Sequence, residues 1–153
     1  IYSLWLARPE ADNTDFLLLD SDLLYEEKIL SLVMNAGKPN VLTLIRHELG
    51  DEEMQVVTDN AGNILCINKT CNPQDAAGES LGIELIGKEY SAALYRELDT
   101  MMNEEHLENK FYELAFERLI PQGQTFSVVD ATGYFSCELD TVEDFENAKS
   151  FMI

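Results

Sequence analysis

Two short acidic clusters stand where chemistry on phosphates could be done: Asp20-Ser21-Asp22 near the start of the chain and Glu138-Leu139-Asp140 near its end. Each follows an apolar run, Phe16-Leu17-Leu18-Leu19 in one case and Tyr134-Phe135 in the other. An apolar run that stops on carboxylates reads as a buried strand reaching the edge of its sheet, where ligands bind. Two such edges side by side would offer hard oxygen ligands to a magnesium ion and the phosphates it carries. The chain has 29 acidic residues, so acidic pairs recur by composition, and position rather than spacing marks these two. The plainer use of the same residues is helix capping by Asp20 or Asp22 and by Asp140 or Thr141. Both uses are compatible, because helix starts at strand ends also bind ligands.

Lys69 closes the run Ile64-Leu65-Cys66-Ile67-Asn68 and could reach a phosphate or a developing negative charge. A solvated lysine at a strand end is the plainer reading. Gly78-Glu79-Ser80-Leu81-Gly82 places two glycines ahead of an apolar strand. It either lets backbone approach a ligand closely or simply turns into the strand. Tyr90, Tyr95, Phe111, Tyr112 and Phe116 could line an aromatic cage for a quaternary ammonium, or fill the core at helical spacing. Neither His47 nor His106 receives a role, and no Ser/His/Asp or Cys/His arrangement supports nucleophilic catalysis.

The elements that must position these residues follow from periodicity. Apolar groups at 1, 4 and 5 predict an opening helix, followed by a loop over 9–14 and a buried strand over 15–19. A helix is predicted over 24–34, ended by Gly37 and Pro39, and a strand over 41–45. Asp59-Asn60-Ala61-Gly62-Asn63 joins strands 54–58 and 64–67 as a hairpin. A loop over 70–78, a strand over 81–86 and helices over 88–102 and 108–119 come next. Segments 124–129 and 134–137 read as a second hairpin. Thr141-Val142-Glu143-Asp144 reads as a capping box opening a last helix, with Phe145, Ala148, Phe151 and Met152 on one face. Interleaved strands and helices predict a single α/β domain over 1–153, with a mixed sheet.

Composition excludes several partners. The 153 residues carry a net charge of −19, which opposes nucleic-acid backbones and anionic membrane surfaces. At 46% apolar residues the chain folds rather than staying disordered. No bilayer-spanning stretch or signal pattern is present. Three cysteines suggest no disulfide framework, and a reducing cytoplasm is expected. Cys66 and Cys71 lack nearby histidines that would complete a zinc site.

Four segments in order carry a resemblance: Phe16 to Glu26, Asn63 to Lys69, Gly78 to Ile83, and Cys137 to Ala148 with its Glu-Leu-Asp-Thr-x-Glu-Asp start. The chain resembles the sugar-phosphate nucleotidyltransferases over nearly its whole length. The resemblance is closest to the branch that makes CDP-choline or CDP-aminoethylphosphonate from CTP. It implies a Rossmann-like, mostly parallel mixed sheet flanked by helices. It also implies a magnesium-dependent attack of a phosphate or phosphonate on the α-phosphate of an NTP, with pyrophosphate leaving. By the same resemblance Asp22, Glu138 and Asp140 hold the metal, Lys69 meets the substrate phosphate, and Glu79 and Tyr112 belong to the acceptor pocket. The family's glycine-rich loop and base-recognition residues are not in this sequence. The chain is therefore expected to be the C-terminal two-thirds of such an enzyme, inactive alone and prone to dimerise. Two alternatives stand beside it: a sugar-1-phosphate nucleotidyltransferase, and a non-catalytic ligand-sensing or assembly domain of the same fold.

Overall fold

A computed structural model describes residues 1–50 and 53–149. The chain runs α1 (Tyr2–Leu6), α2 (Arg8–Ala11), β1 (Phe16–Leu19), β2 (Leu23–Tyr25), α3 (Lys28–Met34), β3 (Val41–Ile45), β4 (Gln55–Thr58) and β5 (Ile64–Asn68). It continues through β6 (Gly78–Ile86), α4 (Lys88–Asn103), α5 (Glu113–Leu119), a 3-10 turn (Ile120–Gln122), β7 (Ser127–Asp130), β8 (Ser136–Glu138) and α6 (Val142–Ala148).

The main sheet has the order β5-β4-β6-β3-β7, with β1 also paired to β6. It is mixed, as expected, with a larger antiparallel share than the sequence reading allowed. Nine-residue β6 runs antiparallel to β1, β3 and β4, and among the described strands only β3 and β7 run parallel. Alternation along β3 explains the layering. Leu42 and Leu44 join a cluster with Tyr90, Leu94, Leu98 and Phe116 from α4 and α5, whereas Val41 joins Ile29 and Val33 of α3. Helices therefore cover both faces, and each fully buried Leu or Ile contributes about 1.5–3 kcal/mol of apolar burial. The aromatics Tyr90, Tyr95 and Phe116 are core residues, which excludes them from a cage.

Several boundaries differ from the expectation. Leu23–Tyr25 is a strand rather than the first turn of a helix, because it pairs antiparallel with Ser136–Glu138 in a separate two-stranded sheet. The same pairing takes β8 away from β7, so 124–137 is not a hairpin. Arg8–Ala11 is a helical turn within the expected loop, opened by Pro9. The helix expected over 108–119 begins only at Glu113. The capping box is present: Asp144 N–H donates to Thr141 Oγ1 at 3.1 Å, and Thr141 N–H donates to the Asp144 carboxylate at 2.8 Å. Phe145 and Ala148 lie on α6, while Phe151 and Met152 fall outside the described residues. Cys66 and Cys71 are joined as a disulfide, contrary to the expectation of reduced thiols, and Cys137 is free. The five-residue separation brings them together because β5 ends in a tight turn. Among the described residues no helix is long and apolar enough to cross a membrane.

Gly82 ties β6 to the end of β1. Its φ of +75° is left-handed, and a Cβ there would collide with the Asp20 carboxylate. Asp20 N–H also donates to the Gly82 carbonyl at 2.9 Å, so the two backbones stay joined at this point. Gly82→Ala is expected to cost more than about 1 kcal/mol, through strain and collision together. Gly133→Ala, at φ +91° with nothing within 4 Å, carries only the backbone strain. Thermal melts in which the first variant loses no more than the second would contradict this reading.

Candidate functional site

Strand ends and one helix start converge on a cleft of about 450 Å³. β1 delivers Asp20 to it, and the turn into β2 delivers Asp22. The pairing of Leu23 with Glu138, extended by Leu139 N–H donating to the Asp22 carbonyl at 2.8 Å, sets Glu138 and Asp140 alongside. Lys69 directly follows β5, β6 supplies Glu79, Ser80 and Gly82, and the approach to α5 and its first residue supply Phe111, Tyr112 and Glu113. All six residues expected from the sequence, Asp22, Lys69, Glu79, Tyr112, Glu138 and Asp140, thus line one cleft.

They are not equally gathered. Among the described residues no three His, Cys, Asp or Glu side chains form a group able to hold a metal ion. Asp22, Glu138 and Asp140 share a rim rather than a ready ligand shell. Burial, and then the nearby charges of Asp140, Glu79, Asp22 and Asp20, raise the Glu138 carboxyl above the usual range. Repulsion among like charges opposes a tighter cluster. In donor chemistry the set suits a hard divalent cation such as magnesium, which carboxylate oxygens bind.

Behind the rim lies a second acidic group that sequence reasoning missed. Glu84 is fully buried on β6, opposite Leu18 and Leu42, and its Oε1 has no hydrogen-bond partner among the described residues. Glu113 is also buried, with its Oε2 equally unpartnered. The Tyr112 hydroxyl stands 3.4 Å from both Glu84 Oε2 and Asp20 Oδ2, yet it has one proton to give. Burial, with the neighbouring acids adding to it, holds the Glu84 carboxyl well above the carboxylate range and raises Asp20. Glu113 is pushed up to about 7, chiefly by burial. Tyr112 itself is raised well above 10 by burial and by the surrounding carboxylates, so it stays protonated. Only the alternation of β6 could have pointed to Glu84, a charged residue set among Ile83, Leu85 and Ile86.

Lys69 Nζ lies 4.8 Å from the centre of the exposed Phe111 ring, within cation–π range. Glu79 is held by His47, whose Nε2 lies 2.6 Å from Glu79 Oε2 and whose Nδ1 lies 2.9 Å from the Glu48 carbonyl. Two acceptors facing one imidazole favour its doubly protonated form, and the bond to Glu79 raises the His47 pKa. His47 therefore acquires a contact that its loop-like sequence setting did not suggest. The cleft is lined by six carboxylates (Asp20, Asp22, Glu79, Glu113, Glu138, Asp140) against two lysines (Lys69, Lys110). A cationic ligand is what that imbalance accommodates.

Glu113 makes the electrostatic cost measurable. Its folded pKa of about 7 exceeds the ordinary 4.5, so the protonated carboxyl favours the fold. That contribution is fully present below about pH 4.5 and is lost as pH rises through about 7. Glu113→Gln cannot ionise and should gain on the wild type across this window, by up to about 3 kcal/mol at pH 8. Denaturant unfolding at pH 4.5 and pH 8 reads the difference. A gap independent of pH would contradict the assignment.

No protein-family model and no curated protein matches this chain. Solved structures do match. The inositol-1-phosphate CTP transferase from T. maritima superposes with a TM-score of 0.71 at 17% identity, covering 99% of this chain and 59% of that one. A CTP:phosphocholine cytidylyltransferase from Streptococcus pneumoniae gives 0.74 at 14% identity, covering 99% and 63%. A CMP:2-keto-3-deoxy-manno-octonic acid synthetase, complexed with CTP, gives 0.64 at 13% identity, covering 98% and 66%. The chain thus has the fold seen in these nucleotidyltransferases and spans about three-fifths of the length of the first two.

Proposed function

We propose that this chain carries the acceptor side of a magnesium-dependent nucleotidyltransferase that joins CTP to phosphocholine, or to a related phosphate or phosphonate, with release of pyrophosphate. The observation that carries the reading is a set of carboxyl groups held where their ionisation is costly. Glu84 and Glu113 are buried with unpartnered oxygens directly behind Tyr112, at a cleft already rich in carboxylates. A permanent cation on the acceptor would offset that charge, and its methyl groups would pack against aromatic faces such as Tyr112 and Phe111. The shared fold and the CTP-using structures named above support the nucleotidyl-transfer part.

In this reading the chain's residues bind and align more than they react, as phosphoryl transfer requires. Lys69 meets the acceptor's phosphate and offsets its charge as the oxygen attacks. Glu79, braced by His47, borders the acceptor. Asp22, Glu138 and Asp140 would hold magnesium, which when bound supplies positive charge to the phosphates. A sugar-1-phosphate acceptor would call for amide and carboxylate groups aimed at hydroxyls. The described residues lining the cleft include neither Asn nor Gln but do supply carboxylates, so the choice of a quaternary ammonium leans on the aromatic faces of Tyr112 and Phe111.

Thermal-shift measurements on this polypeptide in magnesium test the acceptor class. Phosphocholine is expected to stabilise it by about 2.7 kcal/mol over the unliganded protein at one hundred times its Kd, and inositol 1-phosphate or glucose 1-phosphate at the same concentration by less. A larger shift with either polyol phosphate would move the assignment to a sugar-phosphate enzyme. No shift with any of the three would favour a non-catalytic domain.

A further inference from the structure

We infer that the Cys66–Cys71 disulfide is a reversible clasp that holds Lys69 in the cleft. The two cysteines bracket Lys69 in sequence, and their bond closes the segment at its base. Within it, Thr70 donates from N–H and from Oγ1 to the Asn68 carboxamide oxygen at 2.7 and 2.8 Å, an Asx turn with Lys69 at its apex. Asn68 Nδ2 in turn donates to Glu117 Oε1 on α5, and Cys66 Sγ lies 3.8 Å from the same oxygen. The turn is thus fastened twice, covalently at its base and by the Asn68 hydrogen bond to α5, the helix that directly follows Phe111 and Tyr112. The lysine that results lies over Phe111. Its positive charge also reaches Glu113, whose carboxyl it draws downward against the larger effect of burial.

Opening the clasp needs a dithiol reductant. One thiolate of the reductant attacks the Sγ of Cys66, the less buried of the two residues, and Cys71 leaves as a thiolate and takes a proton. The second thiol of the reductant then displaces Cys66, which is protonated in its turn, and the reductant is released as a disulfide. Two electrons and two protons pass to the protein. With both thiols free the segment regains the conformational freedom that the crosslink removed, and Lys69 samples positions away from Phe111 and the cleft. The consequence for catalysis rests on the role proposed above for Lys69; the clasp itself does not.

The test is a brief pulse of an acetylating N-hydroxysuccinimide ester on the oxidised and the dithiothreitol-reduced protein, read by peptide mass spectrometry with thiol counting. Reduction is expected to raise Lys69 acetylation at least threefold, with Lys28 and Lys88 unchanged as internal controls. The Cys66→Ser/Cys71→Ser variant, its fold checked by circular dichroism, should match the reduced protein and ignore reductant. Equal Lys69 labelling in both states, with both thiols counted as free after reduction, would overturn the clasp. In any form of the protein that turns over CTP, reduction should also lower kcat/KM for nucleotidyl transfer about fivefold. That response should vanish in Lys69→Met, where a purely structural effect of the disulfide would persist. Redox-dependent labelling without turnover in either state would leave the clasp standing and refute the enzymatic reading instead.

Discussion

One hydroxyl proton cannot serve two carboxylates, and this mismatch at Tyr112 shapes the site. Asp20 and Glu84 both reach for it, with Glu113 beside them. Glu84 sits near the middle of the sheet with its side chain removed from water, where an isolated charge is expensive. The acids therefore bind protons well above their ordinary range, or else accept a cation from outside. A fold selected only for stability would replace such a group with an apolar side chain of similar volume. Its place beside Ile83, Leu85 and Ile86 supports the ligand-binding role proposed above.

The rest of the architecture delivers that acidic wall to a cleft. Gly82 lets the Asp20 side chain lie against β6, which no residue with a Cβ would allow without displacement. The two-stranded sheet of β2 and β8 joins distant parts of the chain, so that Glu138 and Asp140 stand beside Asp22. Packing of α5 on β5 places Lys69 opposite Phe111 and sets the charge of the lysine against the carboxyl of Glu113. The hydrophobic layers on both faces of the sheet make these positions rigid, because strand register cannot slip without exposing Leu42, Leu44 or Ile83.

Much of this was legible in the sequence, for identifiable reasons. Apolar runs that halt on carboxylates pointed to Asp22, Glu138 and Asp140 as cleft residues, since strand ends form sheet edges. The hairpin at Asp59 to Asn63 and the capping box at Thr141 announce themselves through local hydrogen bonding, which neighbours in sequence decide. The pairing of Leu23–Tyr25 with Ser136–Glu138 was not legible, because a three-residue strand takes its identity from a partner more than a hundred positions away. Glu84 and Glu113 were missed for a related reason: burial of a charged side chain is a tertiary fact, and composition places nearly all carboxylates outside. The disulfide was missed because the odd cysteine count argued against pairing, whereas the turn that closes Cys66 onto Cys71 depends on Asn68 and Glu117.

The central claim is that the carboxylates behind Tyr112 await a cation, and proton counting tests it most directly. Calorimetric titration of phosphocholine at pH 7, in two buffers of different ionisation enthalpy, gives the protons exchanged on binding. Because the free Glu113 carboxyl titrates near 7, a bound ammonium should drive off about half a proton more from the wild type than from Glu113→Gln. Equal proton exchange in the two proteins, or net uptake by the wild type relative to the variant, would contradict the account.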